Sequence, residues 1–104
     1  MITLDDLADT IARRAEATAA QSYTRSLLDR GAAYCARKFG EEAIELAIAA
    51  AAEGEDAVRS EAADVLYHLL VVLQARGVAL HSVMSELQDR TGQSGHEEKA
   101  SRKG

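Results

Sequence analysis

From 32 to 53 the chain offers nothing that interrupts a helix except Gly40, and much of that run is alanine. No proline occurs in the 104 residues. Alanine is the best helix former because it loses no side-chain entropy on folding and buries no polar group. The spacing therefore predicts one long helix over 32–53. Gly40 costs that helix roughly 1 kcal/mol relative to alanine, which suggests a place where something approaches the backbone closely. A fold containing such a rod, with no alternating apolar pattern of useful length elsewhere, is all-α.

The remaining elements follow from their end signals. Thr3 and Asp6 form a capping-box pattern, and Leu4, Leu7, Ala8 and Ile11 follow at helical spacing, predicting a helix from there to about Ala17. Ser22 or Thr24 caps a short helix ending at Gly31. Glu53-Gly54-Glu55-Asp56 reads as a loop, and Asp56 as the cap of a helix reaching Arg76, which Gly77 ends. Leu80, Val83, Met84 and Leu87 mark a last helix over about 80–90. The sum is a single all-α domain over 1–104, a bundle of four or five helices with a polar C-terminal segment, 92–104.

Charge narrows the function. The formal net charge is −5 with no basic stripe, so non-specific nucleic-acid binding is not expected. No apolar run approaches the roughly 20 residues that span a bilayer. Asp5, Asp6 and Asp9 in the first turns are unlike a signal or transit peptide, so a cytoplasmic protein is expected. Cys35 is the only cysteine and reads as a small buried thiol rather than a nucleophile.

Two acidic pairs carry the chemistry. Glu42 with Glu45, and Glu61 with Asp64, each stand three residues apart and so project from one side of a helix. A short loop at Gly54 folds the two helices into an antiparallel hairpin and brings the pairs to comparable heights. Glu41, Glu42 and Glu45 alone also fit a solvated face paired with Lys38 or Arg37. Asp64 fits that less well. It is followed by Val65-Leu66-Tyr67-His68-Leu69-Leu70, and a helix apolar on every side is expected to be buried. An unpaired buried carboxylate costs several kcal/mol or takes up a proton, and a bound cation relieves that cost. A private ion pair with Lys38 or Arg37 is the alternative.

All-oxygen ligation suits Mg²⁺, with Mn²⁺ as a substitute, sharing the coordination shell with substrate phosphates. Zinc is disfavoured by one cysteine and no paired histidines. A di-iron bundle needs Glu-x-x-His, and Val65, Val78 and Gln93 stand three residues before His68, His81 and His96. His68, four residues after Asp64, either orients that carboxylate, contacts substrate or is a satisfied core histidine.

At this point the chain resembles the phosphoribosyl-ATP pyrophosphatase family, within the all-α, MazG-like nucleoside triphosphate pyrophosphohydrolases. The resemblance runs from about Leu4 to Arg102. The superfamily pattern Glu-x-x-Glu then Glu-x-x-Asp matches Glu42-Ala43-Ile44-Glu45 and Glu61-Ala62-Ala63-Asp64. The narrower likeness lies in Ser22-Tyr23-Thr24 with Leu27, Leu28 and Gly31, in Lys38-Phe39-Gly40-Glu41-Glu42, and in Ser94-Gly95 with Glu98-Lys99-Ala100-Ser101-Arg102.

That resemblance implies Mg²⁺-dependent hydrolysis of phosphoribosyl-ATP between its α- and β-phosphates, the second step of histidine biosynthesis. It implies a homodimer whose helices complete the bundle. It also implies an activity that in many organisms is fused to, or works beside, the cyclohydrolase that follows in the pathway, a domain for which a chain of this length has no room. Glu42, Glu45, Glu61 and Asp64 would hold the metal. Glu41 would join them or act as base for water, and Lys38 would meet a phosphate oxygen or steady the acidic cluster. Tyr23 and Thr24 would line the nucleotide pocket, and Ser94, Lys99 and Arg102 would close over substrate phosphates. The rivals are a MazG-like enzyme acting on ordinary or damaged nucleotides and a non-enzymatic helical dimerisation module.

Overall fold

The computed structural model describes residues 1–92, and these contain five α-helices and no strand. They are α1 (Leu4–Arg14), α2 (Tyr23–Asp29), α3 (Ala32–Ala52), α4 (Glu55–Arg76) and α5 (Leu80–Thr91). The expected all-α class and the order of elements are as the sequence indicates.

The helix ends show which local signals won. At α1 the capping box forms in both directions: the Asp6 N–H donates to Thr3 Oγ1 at 3.1 Å, and the Thr3 N–H donates to Asp6 Oδ2 at 3.0 Å. The helix stops at Arg14 rather than near Ala17, with turn hydrogen bonds from Glu16 to Arg13 and from Ala17 to Arg14 carrying the chain on. Ser22 caps α2 through Arg25 N–H at 3.2 Å. Arg25 also reaches back, donating to the Ala15 carbonyl at 2.6 Å, and so ties α2 to the end of α1. Gly31 joins α2 to α3 with φ +94°, a backbone conformation that strains residues with a side chain.

The cap of α4 differs from expectation. Gly54 occupies the N-cap, with no side-chain hydrogen bond, and Asp56 lies inside the first turn, paired with Arg59 at 3.0 Å. Negative charge is favoured there by the exposed N–H groups of the helix end, so Asp56 still stabilises the start. Gly77 closes α4 at φ +66°, with the Val78 N–H reaching back to the Leu73 carbonyl at 2.9 Å, a Schellman closure.

The α3–α4 hairpin is the spine of the molecule, and α1 and α2 pack mainly against it. The core lies at one end, where Ile11 of α1, Leu27 of α2, Cys35 of α3 and Leu70 and Val71 of α4 meet. Burying each of these larger side chains contributes roughly 1.5–3 kcal/mol. Cys35 is covered and donates its S–H to the Leu27 carbonyl at 3.3 Å. Burial pushes its pKa up, which fits the inert thiol expected of it.

Toward the Glu53–Gly54 turn the hairpin is bare on one side. Ile44 and Ile48 of α3 are 63% and 54% exposed, and Leu66 of α4 is also exposed. The uniformly apolar stretch of α4 is thus buried along one stripe only, through His68, Leu70 and Val71. A Cβ placed on Gly40 would meet nothing within 4 Å, so no described element approaches the helix there. No single helix among the described residues is long and apolar enough to cross a membrane.

Candidate metal centre

The carboxylates are brought together by the hairpin. Glu42 and Glu45 lie one turn apart on α3, and Glu61 lies across from them on α4, about as far from the Glu53–Gly54 link as Glu45 is. One carboxylate oxygen from each falls within 4.8 Å of the others. Glu61 Oε2 is fully covered and has no hydrogen-bond partner. A buried acceptor of that kind carries a desolvation cost unless something positive meets it.

The electrostatics agree. Glu42 is held above the usual carboxylate range, first by loss of hydration, then by hydrogen-bonding contact with Glu45 and repulsion from Glu45 and Asp64, with Lys38 opposing. Glu61 is raised in the same way, by desolvation first and then by Glu45 and Asp64. Like charges this close favour a shared proton or a cation. Hard oxygen donors, a covered orphan oxygen and mutual repulsion together fit a divalent cation such as Mg²⁺.

Asp64 behaves differently from the expectation drawn from its apolar neighbours. It is exposed, although Glu61 one turn before it meets the α3 carboxylates and His68 one turn after it is buried. Its carboxylate is close enough to raise Glu42 and Glu61 but is not among the three that converge. The burial argument for a cation therefore rests on Glu61, not on Asp64.

Lys38 and Glu41 sit at the edge of the cluster. Lys38 Nζ is 3.6 Å from Glu41 Oε2, and Arg37 Nε is 3.8 Å from Glu41 Oε1. Burial draws the Lys38 ammonium down, but Glu41 and the phenols of Tyr23 and Tyr34 outweigh it, so its pKa stands above the ordinary lysine value. Lys38 is a permanent cation beside the acids.

Behind Lys38 lies an aromatic wall. The Thr24 and Tyr67 hydroxyls share a hydrogen bond of 2.7 Å, and the rings of Tyr23 and Tyr67 stack at 6.4 Å and 17°. Thr24 is buried, whereas Tyr23 is 60% exposed and presents an open ring beside Lys38. His68 lies beneath, only 6% exposed, with Nδ1 covered and unpartnered and its ring edge-on to Tyr67. Burial first, then Lys38, lowers its pKa against the pull of Asp64, so it is neutral near pH 7.

Tyr67 was not legible as part of this wall. Its only sequence signal is its place one residue before His68, and its partner Thr24 is distant in the chain. Ser94, Lys99 and Arg102 lie outside the described residues. Cavities of about 260, 300 and 590 Å³ flank α1 and α5, and none is lined by Glu42, Glu45 or Glu61. Glu45 is exposed in the single chain, while Glu42 and Glu61 are half-buried.

An all-α hairpin on which Glu42, Glu45 and Glu61 converge defines a class: helical proteins whose clustered carboxylates could hold a metal ion. The chain belongs to the phosphoribosyl-ATP pyrophosphohydrolase family, whose description matches residues 4–91. It is 59% identical to the phosphoribosyl-ATP pyrophosphatase of Azorhizobium caulinodans, over 97% of this chain and 93% of that protein. It is 55% identical to phosphoribosyl-ATP pyrophosphatase 1 of Bradyrhizobium diazoefficiens and 54% identical to that of Rhodopseudomonas palustris. These cover 97% of this chain in both cases, and 95% and 94% of the two relatives.

Proposed function

We propose that this chain is a phosphoribosyl-ATP pyrophosphohydrolase of histidine biosynthesis, cleaving phosphoribosyl-ATP to phosphoribosyl-AMP and pyrophosphate with Mg²⁺ as cofactor. Family membership supports the activity, and the meeting of Glu42, Glu45 and Glu61 across the hairpin carries the reading of where it occurs. A water oxygen adds at phosphorus, the α–β anhydride P–O bond breaks, and pyrophosphate departs.

In this reading Glu42, Glu45 and Glu61 hold the cation, and Asp64 completes the set once the exposed side of α4 is covered. A cation bound there supplies charge neutralisation for the triphosphate and acidifies an attacking water. Glu41, at the rim and already beside Lys38, is placed to accept the proton of that water. Lys38 meets a phosphate oxygen with its ammonium. Tyr23 offers its exposed ring to the base, held in position by Tyr67, which Thr24 anchors in turn. His68 stays neutral beneath them and, edge-on to Tyr67, sets the position of that ring rather than touching substrate. Ser94, Lys99 and Arg102 supply further phosphate contacts.

A second copy of the chain completes the site. Ile44, Ile48 and Leu66 border the carboxylates and are exposed in the single chain. Covering them in a homodimer removes apolar surface from water and narrows the open face around the metal.

The test is pyrophosphate release from phosphoribosyl-ATP, ATP, dCTP and dUTP, each with Mg²⁺ and with EDTA. The expected result is Mg²⁺-dependent turnover of phosphoribosyl-ATP alone. Preference for an ordinary nucleotide would replace this assignment with the MazG-like one.

A further inference from the structure

Phosphoribosyl-ATP differs from ATP by a second ribosyl group that carries its own phosphate. An enzyme that selects it needs a place for that phosphomonoester away from the triphosphate. The described residues contain a group of cations that the proposed chemistry leaves unused. The Arg30 guanidinium lies over the Tyr34 ring, 4.3 Å from its centroid, and the Arg37 guanidinium lies 5.1 Å from the same centroid. Tyr34 is half-buried and both arginines are exposed.

Resting on the activity proposed above, we propose that Arg30, Tyr34 and Arg37 form the subsite for the phosphate of the substrate's phosphoribosyl group. A guanidinium resting over an aromatic face keeps its N–H edge free, and that edge matches phosphate oxygens in a bidentate fork. Arg30 makes no ion pair among the described residues. Asp29, its neighbour in sequence, is held by Arg25 at 2.8 Å. Among the described residues, the ion pair of Arg37 is the long 3.8 Å contact to Glu41. Glu41 lies within 4 Å of both Arg37 and Lys38, and Lys38 also acts on Glu42. That leaves Arg30 and Arg37 as the cations on the side of the patch away from the acids, in a chain whose net charge is −5. Arg30 and Arg37 therefore attract an anion that the rest of the surface repels.

Placement supports the same occupant. Tyr34, Lys38, Glu41 and Glu45 follow at intervals of four, three and four residues along α3, which puts them on one side of the helix. The subsite is thus in line with the carboxylates. Tyr34 precedes Glu42 by eight residues, a rise of about 12 Å at 1.5 Å per residue. A ligand with a phosphate at each end of a base and its sugars fits such a spacing, with Tyr23 and Lys38 between the two ends. Tyr34 fixes the two guanidinium groups and is a positioning residue.

The test is calorimetric titration of phosphoribosyl-AMP and AMP into the full chain and into the Arg30→Gln/Arg37→Gln double variant. Both ligands lack the pyrophosphate, and only the first carries the extra phosphate. The expected result is a loss of about tenfold or more in phosphoribosyl-AMP affinity, the cost of removing charged hydrogen-bond donors, with AMP affinity unchanged. Arg30→Lys alone keeps the charge without the fork and is expected to lose less. Circular dichroism of each variant checks that it is folded. Equal losses for both ligands, or no loss for either, overturn the subsite. Equal affinity of the unaltered chain for the two ligands does the same while leaving the activity standing. No pyrophosphate release from phosphoribosyl-ATP with Mg²⁺ present overturns the activity and the subsite together.

Discussion

The two ends of the α3–α4 hairpin are made from the same pair of helices and do opposite things. At the end near Gly31 and Arg76, α1 and α2 close over the pair and bury Ile11, Leu27, Cys35, Leu70 and Val71. At the end near Gly54, the hairpin keeps Glu42, Glu45 and Glu61 together and leaves Ile44, Ile48 and Leu66 exposed. The first end has apolar groups out of water and few polar demands. The second holds like charges at close range, an arrangement that costs stability in the chain alone. The comparison shows a helix pair anchored at one end so that a strained cluster of acids can be held at the other.

Substitutions at the two ends should separate stability from activity. The largest effect belongs to the packed end. Leu27→Ala removes a side chain that is 2% exposed and is expected to cost about 2–5 kcal/mol of unfolding free energy. Urea unfolding measures this, and a loss under about 1 kcal/mol would mean the core relaxes around the cavity. At the acidic end Glu42→Gln is expected to leave the fold intact and lower turnover by roughly a hundredfold or more, the several kcal/mol that a bound metal supplies. Near-normal kcat/KM in that variant removes Glu42 from the metal set.

The pH dependence sharpens the contrast. The folded-state pKa values of Glu42 and Glu61 are raised. Their contribution to stability is therefore fully present below the unfolded carboxylate value, about 4.3, and is lost as pH rises through the folded values. Above that range the metal-free chain bears the repulsion, and a bound cation relieves it. The gain in Tm on adding Mg²⁺ is expected to be larger at pH 8 than at pH 5. It should correspond to about 2.7 kcal/mol when free Mg²⁺ is about a hundred times its Kd. An equal gain at both pH values would place the cation elsewhere.

The smallest effect is at Gly40. Gly40→Ala adds a methyl group into open space within the chain and restores helix propensity, so stability should rise by up to about 1 kcal/mol. If a second copy or a ligand approaches α3 there, the same change lowers activity or weakens self-association, as steady-state kinetics and sedimentation would read.

Much of the fold was legible because its signals are local. Thr3 with Asp6, Ser22 before Tyr23, and Gly77 after Arg76 each mark a helix end by a hydrogen bond or a backbone angle that the neighbouring residues decide. Asp56 misled as a cap because an acidic residue suits the first turn as well as the cap, and the helix starts one residue before it, at Glu55. The site was partly legible. Glu42, Glu45 and Glu61 converge because helical spacing and a short loop suffice to place them. The burial expected of Asp64 failed because apolar composition does not say which side of α4 another chain element covers. Tyr67 with Thr24, and Arg30 with Tyr34, depend on how α2 lies against the hairpin. Spacing along one helix does not contain that.

The central claim is that the exposed end of the hairpin binds a divalent cation through Glu42, Glu45 and Glu61. Titration of Mn²⁺, followed by electron paramagnetic resonance of the free ion, tests it without reference to turnover. The full chain should bind Mn²⁺ saturably with Mg²⁺ competing, and Glu61→Gln, folded by circular dichroism, should lose that binding. Undiminished Mn²⁺ binding by Glu61→Gln would contradict the account.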